Sequence, residues 1–263
     1  MSRLSAVVLA MGGASALGDS TGGPACLVEF GRQRPYLWWL CRYLDAWGIG
    51  ARSIVVNEAH RDWFDDHDPS SGQLVFMPDS AVDPLADLLE ALPGVELDAT
   101  VLLISGNALP PPFDPHDLLI PEDSEAVACI AVGPLSPDWR LGFAVTGRNG
   151  DPAGVVFEVV EDASHAYSAD HRFMSSFGMT AVTVEALWNA CHGASAPRRM
   201  GDLLSQWASD GVLLARCYDL PQVRFTNAVE LAVARAEFRD WRADLVERMD
   251  RAGTDVVDGH GDV

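Results

Sequence analysis

The sequence predicts an α/β fold with a Rossmann-like, doubly wound sheet that is mixed but mainly parallel. Three observations predict it. Residues 4–10, 53–56 and 100–105 are short, continuous apolar runs, as expected of strands buried on both faces. Amphipathic segments at 35–48 and 84–92 alternate with these runs and have the length of helices. Such alternation indicates βαβ units joined by right-handed crossovers.

The remaining elements follow from the same patterns. The first helix is expected to end at Gly48, and Pro84 stands in the first turn of the 84–92 helix, where proline is tolerated. Further strands are expected at 73–77, 125–133, 141–146, 154–160, 176–183 and 212–218, and further helices at 59–67, 184–191, 201–209 and 227–249.

The domain organisation is expected to be simple, since no internal repeat or long linker divides the chain. We expect a single domain over residues 1–252, with halves at 1–120 and 121–252. Residues 253–263 are rich in glycine and aspartate, a composition typical of a disordered tail.

The composition narrows the range of partners and mechanisms. The net charge of −20 argues against a basic face for nucleic acid or anionic lipid, and it favours solubility, a basic partner or a saline cytoplasm. All 18 basic residues are arginines, so mechanisms that need a lysine are excluded. No apolar run reaches the roughly 18 residues of a membrane span. The apolar N-terminus resembles a buried strand more than a signal peptide, and we expect a cytoplasmic protein.

Several other residue groups favour structural roles. The five cysteines are scattered without a C-x-x-C pair and are expected to be buried small hydrophobic residues. The tryptophans Trp38, Trp39 and Trp47 have helical spacing and are expected in the core or at an interface. Two polar groups, Asp65-Asp66-His67-Asp68 and the pair His165 and His171, are expected to lie in solvated loops.

A ligand site is expected beyond the carboxyl ends of the parallel strands. The loops at 11–25 and 106–113 meet there. In the first loop, Gly12, Gly13, Ala14 and Ser15 can offer backbone N–H groups to a phosphate or a base. The alternative is that Gly12 and Gly13 only make the turn between strand and helix.

The order of these segments resembles the nucleotidyltransferase superfamily, whose members join an NTP to a sugar phosphate and release pyrophosphate. The opening loop, Pro24-Ala25 and Gly106-Asn107 correspond to its first motifs. Glu161-Asp162 and the Ser176–Thr180 segment around Gly178 correspond to later ones. Eight such segments span about residues 5–236. The resemblance implies the nucleotide-diphospho-sugar transferase fold, with a nucleotide-binding half at 1–120 and a sugar-binding type of half at 121–252.

The resemblance also implies that the functional charges are missing. The positions of the loop arginine and the two lysines carry Ala16, Ala25 and Asp162, and those of the two metal-binding aspartates carry Asn107 and Thr226. No metal site is therefore expected. The implied ligand-binding residues are Gly12, Gly13, Ala14, Ser15, Asp87, Gly106, Asn107, Glu161 and Gly178.

The sequence leaves three functions open. The first is a degenerate nucleotidyltransferase that binds a nucleotide or a sugar phosphate, or serves as regulatory partner of an active homologue or another protein. The second is an active transferase that uses Mg²⁺, with arginines such as Arg32, Arg34, Arg140 and Arg172 replacing lysines. The third is a glycosyltransferase that depends on a nucleotide sugar, although its D-x-D candidate, Asp66-His67-Asp68, is poorly placed after a helix.

Overall fold

The fold was obtained as a computed structural model. It describes residues 4–11, 13, 17, 23–31, 34–65, 72–78, 92, 99–110, 112–134, 142–146, 153–160, 172–192, 199–220 and 222–252. Residues 84–91 of the helix predicted at 84–92 and the tail at 253–263 lie outside these residues, as do Asp66-His67-Asp68, His165 and His171. The predicted domain limits stay a prediction.

The described strands and helices agree with the predicted order of elements. The strands are β1 (Ser5–Ala10), β2 (Glu29–Phe30), β3 (Arg34–Pro35), β4 (Arg52–Asn57), β5 (Gln73–Met77), β6 (Thr100–Ser105), β7 (Ala108–Leu109), β8 (Ala128–Pro134), β9 (Gly142–Val145), β10 (Ala153–Val160), β11 (Arg172–Thr183), β12 (Leu213–Cys217) and β13 (Val223–Arg224). The helices are α1 (Tyr36–Ala46), α2 (Arg61–Asp65), α3 (Val184–His192), α4 (Met200–Ser209) and α5 (Ala228–Ala252).

Nine of these strands form one mixed sheet in the order β5-β4-β1-β6-β11-β8-β12-β10-β9. The strands β5, β4, β1 and β6 are parallel neighbours, with Val8 opposite both Ile54 and Ile104. The strand β11 runs antiparallel to β6 and β8 and joins the two halves of the sheet. The predicted doubly wound α/β fold is confirmed, and its parallel part lies where the apolar runs predicted it.

Two apolar cores cover the two faces of the sheet. The first contains Val8, Ile54 and Ile104 and is covered by α1 and α5. The second contains Val7, Val55 and Leu103 and is covered by α3 and α4. Successive residues of a strand point to opposite faces, so a strand buried between two helical layers must be apolar throughout. This explains why these strands are unbroken apolar runs.

Helix α1 begins directly after Pro35 and is followed by Gly48, whose φ of 73° is the left-handed conformation that ends helices. Its inner face buries Leu37, Leu40 and Leu44 completely. Helix α5 packs beside it through Phe238 and Trp241, and the rings of Trp39 and Phe238 lie 5.2 Å apart. The long helix is largely polar outside this narrow apolar stripe, consistent with one buried face.

Some element limits differ from the sequence prediction. The helix expected at 59–67 is a 3-10 turn, Glu58–His60, followed by α2 over Arg61–Asp65, and residues 66 and 67 lie outside the described part of the chain. The strand expected at 176–183 begins four residues earlier, at Arg172. The strands β7 and β13, of two residues each, were not predicted, because two residues carry no periodicity. Among the described helices, none has the length and apolar character needed to cross a membrane.

Candidate functional site

A small cavity of about 100 Å³ lies at the carboxyl ends of β1 and β6. Its described walls come from the loop after β1, the 3-10 turn at Ala25–Leu27 and the turn after β6. They are formed by Leu9, Ala10, Met11, Ala25, Cys26, Gly106 and Asn107. The predicted meeting of the 11–25 loop with Asn107 is therefore observed. None of these wall residues carries a charge.

Gly106 ties the turn after β6 to β1. Its N–H donates to the carbonyl of Leu9 at 2.8 Å. A Cβ at this position would lie 2.9 Å from both the Leu9 oxygen and the Cα of Ala10. Both atoms belong to the backbone, so the close approach requires glycine.

Asn107 is held by two hydrogen bonds, one to its side chain and one to its backbone carbonyl. The hydroxyl of Ser105 donates to its Oδ1 at 2.5 Å. Its carbonyl accepts the N–H of Phe225 at 3.0 Å, next to the pairing of β7 with β13. This contact brings the segment before α5 to the same edge of the sheet. The two positions that the resemblance assigns to metal binding, Asn107 and Thr226, are thus brought together by the fold.

Both hydrogen-bond donors of Thr226 are used within the segment that leads into α5. Its N–H and its hydroxyl both donate to Oε2 of Glu230, at 2.6 and 2.7 Å. Asn227 caps the same helix, because its Oδ1 accepts the N–H groups of Val229 and Glu230 at 3.0 Å. The Asn227 bonds satisfy two of the N-terminal donors of α5, and the Glu230 bonds hold the residue before this cap. One oxygen of the Glu230 carboxylate therefore holds the segment that leads into the helix.

Gly178 lies beside the same turn. Its φ is 75°, and a Cβ there would lie 2.8 Å from the Cβ of Ser105. Arg224 extends along this edge and donates from Nη2 to the carbonyl of Ser176 at 3.0 Å. In β13 the backbone of Arg224 pairs with that of Ala108, the residue after Asn107.

The base of the site is neutral and buried. Ala25, at the position of a lysine in the resembled family, is only 6% exposed. Burial raises the pKa of the neighbouring Cys26 thiol to about 12, so it stays protonated at neutral pH. The hydroxyl of Tyr36 donates to the carbonyl of Ala108 and links α1 to β7. Desolvation raises the pKa of this phenol well above its usual range.

The other predicted site residues are only partly described. Gly13 forms a bridge with Pro24 at the mouth of the loop. Gly12, Ala14, Ser15, Ala16, Asp87, Glu161 and Asp162 lie outside the described residues, as do Arg32 and Arg140.

The arginines and tryptophans that are described lie mainly on the helices. Arg34 and Arg42 both lie over the ring of Trp38, at 5.5 and 5.1 Å. The indole of Trp39 is buried and donates to the carbonyl of Phe30 at 2.7 Å, as expected for a core tryptophan. Trp47 is partly buried under Arg248.

A second cavity, of about 170 Å³, lies between α5 and the paired strands β7 and β13. Trp241 is part of its apolar wall, and Glu237, Asp240 and Asp244 lie at its border. Three carboxylates disfavour a phosphate ligand there. The cavity at Asn107 is therefore the better candidate for a ligand of the phosphate class.

Sequence reasoning did not identify Ser105, Tyr36 or Glu230 as parts of this edge. For Glu230 a signal existed, because Asn227 followed three residues later by glutamate is the capping-box pattern. For Tyr36 there was none, because its partner Ala108 is 72 positions away.

Comparison with known proteins gives matches in structure alone. No family model and no curated protein matches the chain. The inositol-1-phosphate CTP transferase of T. maritima matches with a TM-score of 0.68 and 15% identity, over 94% of this chain and 97% of that one. A candidate glucose-1-phosphate thymidylyltransferase of Bacillus anthracis has a TM-score of 0.67 and 16% identity, over 90% and 96%. A UDP-glucose pyrophosphorylase solved with UDP-glucose has a TM-score of 0.64 and 11% identity, over 91% and 99%. The chain therefore shares the fold of these sugar-1-phosphate nucleotidyltransferases at low sequence identity.

Proposed function

We propose that this protein uses the nucleotidyltransferase fold to bind a nucleotide or a sugar phosphate, and that the pyrophosphorylase reaction is lost or strongly altered. One observation carries the proposal. At the edge where the resemblance places the two metal ligands, the chain has Asn107 and Thr226, and Oε2 of the neighbouring Glu230 accepts both donors of Thr226.

The reaction needs a divalent cation between the phosphates. Mg²⁺ prefers anionic oxygen ligands in near-octahedral geometry. The amide of Asn107 has no charge, and its Oδ1 already accepts from Ser105. Arg224 lies on the same edge and donates to the Ser176 carbonyl, so it supplies no ligand for a cation. These contacts support weak or absent Mg²⁺ binding.

The reaction also needs cations that stabilise the charge moving to pyrophosphate. Ala25 places a buried methyl group where the resemblance implies a lysine, and lysine is absent from the whole chain. Loss of one such phosphate contact commonly costs several kcal/mol of transition-state stabilisation. Missing metal ligands and a missing cation together would leave little catalysis.

Binding capacity is retained in the same place. The cavity is open to a small group, its walls are formed by the ends of rigid parallel strands, and it borders one amide side chain. The structural neighbours include a transferase of inositol 1-phosphate and a pyrophosphorylase solved with UDP-glucose. We carry over to this chain only the class of ligand, nucleotides and sugar phosphates. A regulatory role would follow if a partner protein distinguishes the bound form from the free form.

The experiment compares turnover with binding on the full chain. Purified protein is incubated with each common NTP, a set of sugar 1-phosphates and MgCl₂, and released pyrophosphate and nucleotide sugar are measured. The same compounds are screened by thermal shift, with MgCl₂ and with EDTA, because a ligand of the native state raises its stability.

We expect no nucleotide sugar above background, together with stabilisation by at least one compound in EDTA. Turnover near ordinary enzyme rates, about 1 per second or more, would show that arginines do replace the lysines and that the enzyme is active. The absence of any stabilising compound would contradict the binding role.

A further inference from the structure

We infer that Asn107 binds the ligand as a hydrogen-bond donor, so that this site holds a phosphoryl group directly and without a metal ion. The inference rests on the proposed binding function and adds that the site donates hydrogen bonds to its ligand. A carboxylate at this position would accept hydrogen bonds and attract a cation. The amide, as oriented here, offers hydrogen-bond donors to the ligand and carries no charge that would attract a cation.

The orientation of the amide is set by Ser105. The Ser105 hydroxyl donates to Oδ1 of Asn107 at 2.5 Å, which directs the oxygen of the amide toward β6. The nitrogen then lies on the other branch of the same planar group. Among the described residues, the side-chain hydrogen bond of Asn107 is the one that its Oδ1 accepts, and no acceptor is found for Nδ2. Asn107 is half-buried and borders the cavity, so the two N–H groups remain for a ligand.

The remaining charges of this edge favour an acceptor ligand. Glu230 is held by two donors of Thr226. Arg224 reaches from β13 to the Ser176 carbonyl and supplies no ligand for a cation. The described walls of the cavity contribute no carboxylate. These walls therefore suit an acceptor oxygen better than a divalent cation.

The size of the cavity and the net charge limit the ligand further. The described cavity, of about 100 Å³, accommodates one phosphoryl-sized group of a ligand beside Asn107. A chain of net charge −20 repels polyanions at long range. The ligand class that satisfies both conditions is a phosphate ester of low charge, such as a sugar monophosphate, with one phosphoryl oxygen accepting from Asn107.

Two probes test the inference, inorganic phosphate and glucose 1-phosphate. The first readout is the side-chain amide resonance of Asn107 in ¹⁵N-labelled protein, assigned from its loss in Asn107→Asp. The second is the dissociation constant from calorimetry, measured in EDTA and in MgCl₂. Asn107→Asp has the same shape as the wild type and replaces a donor by an anionic acceptor. Asn189→Asp, on the exposed surface of α3, adds the same charge elsewhere and is the matched control.

We expect both probes to shift the Asn107 resonance in EDTA, with no gain in affinity from MgCl₂. Asn107→Asp should weaken binding by about tenfold or more, because a hydrogen bond to a charged acceptor is lost and replaced by repulsion. Asn189→Asp should change the affinity less than about twofold. Ser105→Ala, which leaves the amide free to rotate, should weaken binding by a smaller factor. Thermal unfolding of each variant shows that it is folded.

The results separate this inference from the proposed function. If the wild type binds a probe but Asn107→Asp binds it equally well, or if binding requires Mg²⁺, the inference is wrong and the binding function stands. If neither these probes nor any compound of the wider screen binds the wild type, the proposed function fails and the inference fails with it.

Discussion

The backbone N–H and the hydroxyl of Thr226 both donate to a single carboxylate oxygen of Glu230, at 2.6 and 2.7 Å. This contact determines which groups at this edge of the sheet are available to a ligand. A threonine beside a glutamate resembles a metal site with one ligand replaced. The contact shows instead that one oxygen of this carboxylate holds the segment leading into a helix of 25 residues.

The first prediction concerns this cap. Asn227→Ala and Glu230→Ala should each lower the free energy of unfolding by about 1 kcal/mol, the usual cost of losing a helix cap. In a chain of this length that corresponds to roughly 2–4 °C in Tm. Urea unfolding followed by circular dichroism measures it. Glu237→Ala, an exposed glutamate in the middle of the same helix, is the control and should change stability by less than about 0.5 kcal/mol. Equal losses in all three variants would contradict the assigned role of the cap.

The parallel half of the fold could be predicted because its signals are local. Each of β1, β4 and β6 is an apolar run that can be recognised without its neighbours. The convergence of Ala25 and Asn107 followed from a general property of parallel sheets, in which the carboxyl ends of strands share one edge. The two residues could therefore be predicted to lie at the same edge without knowledge of any individual contact between them.

The parts that could not be predicted depend on contacts between distant residues. The hydroxyl of Tyr36 finds its acceptor at Ala108, and nothing in either segment specifies the other. The orientation of the Asn107 amide depends on Ser105 and on the packing of Gly178 against that serine. The strands β7 and β13 exist because they pair with each other. The chemistry of the site is decided by these contacts, which is why its polarity emerged only from the structure.

The second prediction separates two costs at Gly178. Gly178→Ala combines a left-handed φ with a Cβ 2.8 Å from the Cβ of Ser105. Gly48→Ala has a similar φ of 73° and open space around the new methyl group. Gly50→Ala has open space and no left-handed φ. Urea unfolding should show a loss of about 1 kcal/mol for Gly48→Ala and a clearly larger loss for Gly178→Ala. Gly50→Ala should be near neutral.

The same series has a functional readout. Since Gly178 touches Ser105, the added methyl group should also disturb the Asn107 amide and weaken ligand binding. The two control variants should bind as the wild type does. A Gly178→Ala protein with the stability and affinity of the wild type would show that this approach is not as close as described.

The third prediction concerns Tyr36 and uses Tyr43 as its match. Both tyrosines belong to α1 and both donate to a distant backbone carbonyl, Tyr36 to Ala108 and Tyr43 to Phe113. Tyr36→Phe and Tyr43→Phe should each cost about 1 kcal/mol, because a buried hydrogen bond is lost. Only Tyr36→Phe should also weaken ligand binding, since Ala108 follows Asn107 directly. Unfolding curves and calorimetry on both variants measure this. A loss of affinity shared by both variants would mean that the tyrosines act only through stability.

The fourth prediction uses the raised pKa values of two buried thiols. Burial raises the pKa of Cys26 to about 12 and that of Cys129 to about 12. At pH 8 both groups are therefore thiols, with roughly one molecule in ten thousand ionised. Iodoacetamide at pH 8 should leave them unmodified in the native protein and alkylate them after unfolding in urea. The half-buried Cys191 and Cys217 are the internal comparison and should react first. Peptide mass spectrometry measures each site, and early alkylation of Cys26 would contradict its burial.

The fifth prediction is that restoring one carboxylate does not restore catalysis. Asn107→Asp supplies an anionic oxygen at the first metal position, where the Ser105 hydroxyl can still donate to it. The second position still carries Thr226, whose donors point to Glu230, and Ala25 still lines the cavity in place of a cation. Thr226→Asp alone removes the hydroxyl that Glu230 accepts from and places two carboxylates together, so it should lower stability. We therefore expect no pyrophosphate release from Asn107→Asp with any NTP and sugar 1-phosphate, and at most a weak stabilisation by Mg²⁺ in thermal shift.

The double variant Asn107→Asp/Thr226→Asp should be stabilised more by Mg²⁺ than either single variant, because two carboxylates then share one cation. Full turnover from Asn107→Asp alone would mean that the other catalytic charges are present elsewhere in the chain and that the loss of function is confined to one residue.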